Sequence, residues 1–224
     1  MTAFSFEIFS NSFLELLKAL PITLSVGLLA MGFGLIIGVL VGIIRYFNVP
    51  FIDSFFKFYI SFFRGTPLMI QLFLFFFGLP QLFPSLGRMN AFQASVIIMS
   101  INAGAYIAET SRASILSVDN LQKDAGFSIG LTKLQTMWHV QLPQALRVAI
   151  PSFGNTFIGI IQGTSLTFML GLNDLMGLGK MRAASNYRFF EVYLAVGLIY
   201  FFITLLIGKL NLYLEKHYSK GRAA

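Results

Sequence analysis

Few residues in this chain have the type and spacing for chemistry. His139 and His217 belong to no metal-ligand or acid–base constellation, and there is no cysteine, so thiol catalysis, disulfides and thiolate metal sites are excluded. The segment GLGKM, residues 177–181, has the end of a phosphate-binding loop pattern. It fails, because Asp174 stands where the first glycine is required and Met181 replaces the Ser or Thr. No catalytic residue, metal or cofactor is therefore expected. What remains is a set of polar side chains inside apolar runs: Gln71, Asn102, Asn155, Gln162, Thr164 and Ser165. Polar groups at membrane depth are costly and usually face a cavity or another helix. A hydroxyl can satisfy itself on the carbonyl one turn back, whereas an amide cannot do so easily. Substrate contact is the expectation for this set. Glu109 and Arg112, three apart on one helix, can pair as a gate or as a structural ion pair.

The elements that must position these residues are membrane spans. Hydrophobic residues make up 56% of the 224 and charged ones 11%, with 26 Phe; a soluble domain is nearer a quarter charged. Several apolar runs reach the roughly 20 residues that cross a bilayer. The net charge of +7 is read as basic flanks of spans rather than a nucleic-acid surface. No cleavable signal peptide is expected, since the first long apolar run is too long and lacks a small-residue cleavage site.

Five spans are expected: about 20–44, 67–79, 91–115, 151–170 and 189–212. The second follows an interfacial helix and a kink at Pro67. Residues 1–18 lie in the interface or extend the first span. Gly34, Gly38 and Gly42 line one face, a seam for close helix approach within the chain or between subunits. A Gly-rich outer loop joins the last two spans. Basic residues concentrate on the side holding Arg45, Lys57, Arg64 and the central loop, which places that loop and the C-terminus in the cytoplasm. There is no inverted repeat between halves, which argues against a secondary transporter; a stand-alone secondary transporter or channel is the alternative function.

The central loop, residues 118–151, carries two helix starts. Asp119 with Gln122, and Thr132 with Gln135, have the spacing of capping boxes. Gly130 between them suits a helix end. Leu121, Ala125 and Ile129 fall on one face of the first helix, and Leu134, Met137 and Trp138 on one face of the second. Two short amphipathic helices of this kind are built to press against a partner.

This stretch resembles the cytoplasmic loop signature of ABC importer permeases. The matching positions are Asp124, Ala125, Gly126 and Gly130, then Leu142 and Pro143. Arg64-Gly65-Thr66-Pro67 with Gln71, Ala105-Tyr106-Ile107-Ala108-Glu109 with Arg112, Leu142-Pro143-Gln144-Ala145 with Arg147, and Thr164-Ser165-Leu166 resemble the polar amino acid branch. Within it the chain looks most like permeases for cystine and related sulfur amino acids. Asp124 replaces the signature Glu, Gly126 the second Ala and Leu121 a Gly, and Gln162 stands where a Lys is common.

The resemblance implies an all-α, polytopic type I importer fold, with a transmembrane domain over 19–214, a coupling loop at 118–143 and a basic cytoplasmic tail at 215–224. It implies a permease in a prokaryotic cell membrane, working with a separate ABC ATPase, an extracytoplasmic solute-binding protein and a second permease subunit. Leu121, Asp124, Ala125, Gly126, Ile129 and Gly130 would couple to the ATPase.

Overall fold

A computed structural model describes residues 4–219; residues 1–3 and 220–224, including Lys220 and Arg222 of the basic tail, lie outside the described residues. Among the described residues every regular element is helical. Helix α1 (Phe6–Leu16) passes through a 3₁₀ turn (Leu17–Ala19) into α2 (Leu20–Tyr46). Together they form a run of 41 residues, about twice what a bilayer crossing needs. The N-terminal segment is thus helically continuous with the first span.

The glycine seam of α2 packs within the chain, against α6 (Ala91–Leu116). A Cβ on Gly34 would stand 2.9 Å from Ala103 Cβ, and one on Gly42 2.7 Å from Ser111 Cβ. Gly38 faces Ile107 in the same way. In lipid there is no water to expel between helices, so close van der Waals contact must carry the association. Asn90 starts α6 with a complete capping box, accepting from Gln93 N–H while the Gln93 side chain accepts from Asn90 N–H.

The second crossing is a broken span. Helix α3 (Ile52–Gly65) ends at Thr66, which is extended (φ −119°, ψ 146°) as a residue before proline prefers. Helix α4 (Leu68–Phe73) then runs through a π-helical turn (Leu74–Gly78) into α5 (Leu79–Leu82). The two halves are bent by 110°. The kink stands at Pro67 as expected, but α3 is not a free interfacial helix. Its Ile60, Tyr59 and Phe63 pack on Ala105 and Ala108 of α6.

The central loop contains one short helix, not two. Helix α7 (Asn120–Ser128) is separate, but α8 (Lys133–Thr136) passes through a π-helical turn (Met137–Gln141) directly into α9 (Leu142–Gly163). A 3₁₀ stretch (Thr164–Leu170) completes this run. The helix of the fourth span therefore begins well before Pro151, which lies inside α9. Pro143 follows directly on the π-helical turn, where the regular hydrogen-bond ladder is already altered. The Pro151 carbonyl accepts from Asn211 Nδ2 at 3.1 Å, which ties α9 to α11 (Phe189–Ser219).

The expected Gly-rich loop is in fact a helix, α10 (Leu175–Asn186). Its glycines serve close contact: a Cβ on Gly179 would lie 2.6 Å from Val196 Cγ2 of α11. Leu16, Leu175, Ala183, Val192 and Ala195 join α1, α10 and α11 in one cluster. Three helical runs are apolar and long enough to span alone, and the broken pair makes a fourth. Helix α9 is more polar but packs between α2, α6 and α11, giving five crossings.

Candidate functional site

A cavity of about 440 Å³ opens between α6 and α9, with Leu68 of α4 at its edge. That volume lies within the range of small-molecule pockets. Asn102 and Tyr106 reach it from successive turns of α6, and Asn155, Thr156 and Gly159 from α9. Helical periodicity produces both pairs, since residues four apart share a face.

Of the six residues expected at a substrate site, Asn102 and Asn155 line this cavity. Gln71 lies buried beside the break instead. Its Nε2 donates to Phe63 O (2.9 Å), Thr66 O (3.0 Å) and Thr66 Oγ1 (2.8 Å). Carbonyls freed by a broken helix in lipid need such donors. Gln71 Oε1 accepts from Asn102 Nδ2 at 2.9 Å, and Asn102 Nδ2 also donates to Phe63 O at 3.2 Å. The Asn102 amide is thus locked, leaving Oδ1 to face a ligand. Gln162 is exposed one turn beyond Gly159, outside the lining. Thr164 is buried, donates to Ile161 O at 2.7 Å and meets Tyr200 Oη at 3.4 Å. Ser165 donates back to Gln162 O at 2.6 Å.

Tyr106 and Thr156 line the cavity beyond the residues expected there. Tyr106 was legible as Asn102 plus four. Arg64 ends α3 and lies over the Tyr106 ring, 5.6 Å from its centroid. It enters no ion pair among the described residues. Arg64 is exposed and stands outside the lining of the cavity.

Below the cavity, Arg45 is the hub of a buried ion network. Its Nη1 meets Glu109 Oε2 at 2.7 Å and its Nε meets Asp53 Oδ1 at 3.3 Å. Lys57 adds to Asp53 at 2.6 Å. The expected Glu109–Arg112 pair exists but is long, at 3.8 Å. Arg45 is therefore the principal partner of Glu109, and the cluster joins α2, α3 and α6.

The same end of the bundle carries the α7–α8 element. Asp119 caps α7 by accepting from Leu121 N–H at 2.9 Å. Gly130 ends the helix at φ +85°, with Leu131 N–H donating to Gly126 O (3.1 Å) and Gly130 N–H to Phe127 O (2.9 Å). This six-to-one and five-to-two pair is a Schellman motif. Thr132 and Gln135 then complete a capping box for α8. Leu121 is 74% exposed and Ile129 78%, with Asp124, Ala125, Leu134 and Trp138 also exposed. Met137 does not join that face: it is fully buried. Gly126 is buried too, against Thr136.

Comparison with known proteins follows this geometry. The family described as "Binding-protein-dependent transport system inner membrane component" matches residues 34–220. The "Probable amino-acid permease protein YxeN" of Bacillus subtilis (strain 168) is 43% identical over 220 residues, covering 98% of each chain. The "L-cystine transport system permease protein TcyL" of the same organism is 36% identical, covering 98% of this chain and 94% of its own. A solved structure described as "Crystal structure of an amino acid ABC transporter with histidines" superposes with a TM-score of 0.87 at 32% identity. It covers 97% of this chain and 100% of its own.

Proposed function

This chain belongs to the binding-protein-dependent transport system inner membrane component family, and we propose that it is the permease subunit of an ATP-driven importer for a polar amino acid. L-cystine is the first substrate to test, because an L-cystine permease stands among its relatives. The energy source is a separate ATPase, since the GLGKM segment of this chain is a helix contact and not a nucleotide loop. The bundle end with α7 faces the cytoplasm, in keeping with its basic residues. A second permease subunit completes the path, and a solute-binding protein delivers substrate on the opposite side.

The observation that carries this reading is the unbroken helical run from α8 through α9. It starts beside the exposed α7 face and reaches Asn155 and Thr156 in the cavity. From Lys133 to Asn155 it spans roughly 33 Å at 1.5 Å per residue. An ATPase gripping Leu121, Asp124, Ala125 and Ile129 moves the cavity wall directly. Gly126 and Gly130 hold α7 in position on that lever. The π-helical turn and Pro151 are the points where such a helix can flex. The change is a two-state rearrangement that nucleotide and substrate bias.

In the cavity, Asn102 Oδ1 and the Asn155 amide bind the polar groups of the amino acid. Arg64 supplies positive charge for its carboxylate, which Gln162 cannot. Gln71, Thr164 and Ser165 act by holding the walls.

The test is uptake of labelled amino acids into proteoliposomes holding the chain with its ATPase and binding protein. ATP-dependent uptake competed by cystine or another polar amino acid is expected. Uptake by the chain alone, driven by an ion gradient, would overturn the reading.

A further inference from the structure

A second cavity, of about 300 Å³, lies at the bundle end that carries α7. It opens between the ends of α2 and α6 and the α7–α8 element, apart from the amino acid cavity. Its wall includes Tyr46, Asn48, Lys123, Phe127, Lys133 and Gln141. The charged side chains in this wall are both cations, and no carboxylate lines it. Neither lysine enters an ion pair among the described residues. The acids nearest in sequence are turned elsewhere: Asp119 caps α7, and Asp124 is exposed outside the cavity.

Gln141 sharpens the chemistry. It is only 4% exposed, and the Tyr46 hydroxyl donates to its Oε1 at 2.9 Å. The acceptor of that amide is therefore occupied, and Nε2 is the atom left to donate. Asn48, held at φ +52°, stands in the same wall with its Nδ2 donating to Tyr46 O at 3.4 Å. Two ammonium groups sharing one small cavity repel each other unless a negative charge lies between them. The charge to be balanced is two.

We infer that this cavity is an anion site that takes a phosphate group. Phosphate matches two cations and the Gln141 N–H donor better than a lone carboxylate does. The group comes either from the headgroup of an anionic phospholipid or from soluble phosphate. Basic pockets between membrane helices suit such headgroups. Its occupant joins Lys123 of α7 and Lys133 of α8 to the end of α2, and so steadies the α7–α8 element on the bundle.

The test is binding by the full-length chain purified in a neutral detergent, with three probes: inorganic phosphate, short-chain phosphatidylglycerol and short-chain phosphatidylcholine. Titration calorimetry and native mass spectrometry read affinity and stoichiometry. One phosphate or one phosphatidylglycerol per chain is expected, weakened at least ten-fold by Lys123→Gln with Lys133→Gln and unchanged by Lys209→Gln. Binding of phosphatidylglycerol alone assigns the lipid source; binding of phosphate, alone or with the lipid, assigns the soluble group as sufficient. If the double variant does not fold, Lys133→Gln at the exposed lysine is read instead, with about a three-fold loss expected. No binding of either anion, equal affinity in the lysine variants, or equal binding of phosphatidylcholine overturns the site. Binding is read without nucleotide or amino acid, so the result stands apart from the import reading.

Discussion

Gly126 and Thr136 meet across the turn between α7 and α8: a Cβ on Gly126 would lie 2.9 Å from Thr136 Cγ2 and 3.1 Å from its Oγ1. Glycine costs about 1 kcal/mol of helix propensity relative to alanine, yet overpacking a tight contact costs about 1–3 kcal/mol. Gly126→Ala is therefore expected to loosen α7 despite the better propensity. Thr136→Ala should relieve the clash, so the double variant will be more stable than additivity allows, by about 1 kcal/mol. Thermal unfolding in detergent and protease sensitivity of α7 measure the cycle; strict additivity would show that the two residues do not touch.

At Gly130 the constraint is conformational. Its φ is +85°, and nothing lies within 4 Å of a built Cβ. A β-branched residue there incurs about 1–2 kcal/mol of left-handed strain and weakens the Schellman turn. Gly130→Val should uncouple ATP hydrolysis from uptake or prevent assembly with the ATPase, while Gly130→Asn retains most function. Normal coupled uptake by the valine variant would remove α7 from the coupling role.

Arg45 bridges Asp53 and Glu109 from the end of α2. Arg45→Met leaves two carboxylates short of a partner, and removal of one partner from a buried network costs about 3–5 kcal/mol. Arg45→Lys should rescue only part, because one ammonium cannot reach two carboxylates as a guanidinium fork does. Expression level and unfolding temperature report this; an unchanged Arg45→Met protein would make the cluster incidental.

Asp174 caps α10, accepting from Gly177 N–H at 2.9 Å, while its Oδ2 is buried without a partner. Burial raises its pKa from 3.8 to about 6, partly opposed by backbone N–H donors. The folded state then holds a proton that the unfolded state has released. Stability from this group is present below about pH 4 and is lost as pH rises to about 6. Asp174→Asn keeps a capping side chain and removes the buried charge. It is expected to raise the unfolding temperature at pH 7.5 and to flatten its dependence between pH 4 and 6.

Arg64 over Tyr106 predicts a substrate effect without a stability effect. Arg64→Gln should reduce uptake, because the positive charge offered to the substrate carboxylate beside Tyr106 is lost. The unfolding temperature should stay within a degree or two. A large fall in that temperature with a normal KM would assign Arg64 to the walls instead.

The amino-acid sequence by itself determined the membrane class, the caps of α7 and α8, the Gly130 turn and the glycine seam of α2. These features are local: apolar length, a three-residue spacing or a single φ decides each of them. Even so, local signals ended α8 too early, because Pro143 and Pro151 do not stop a helix that neighbours support. Only the tertiary structure decided that Gln71 serves the break beside it, that Asn102 and Asn155 share a cavity, and that Glu109 answers to Arg45 rather than mainly to Arg112. Arg45 and Glu109 are 64 residues apart, and no spacing rule reaches that far. Amides in lipid must find partners wherever the fold provides them, so their roles follow from which helices meet.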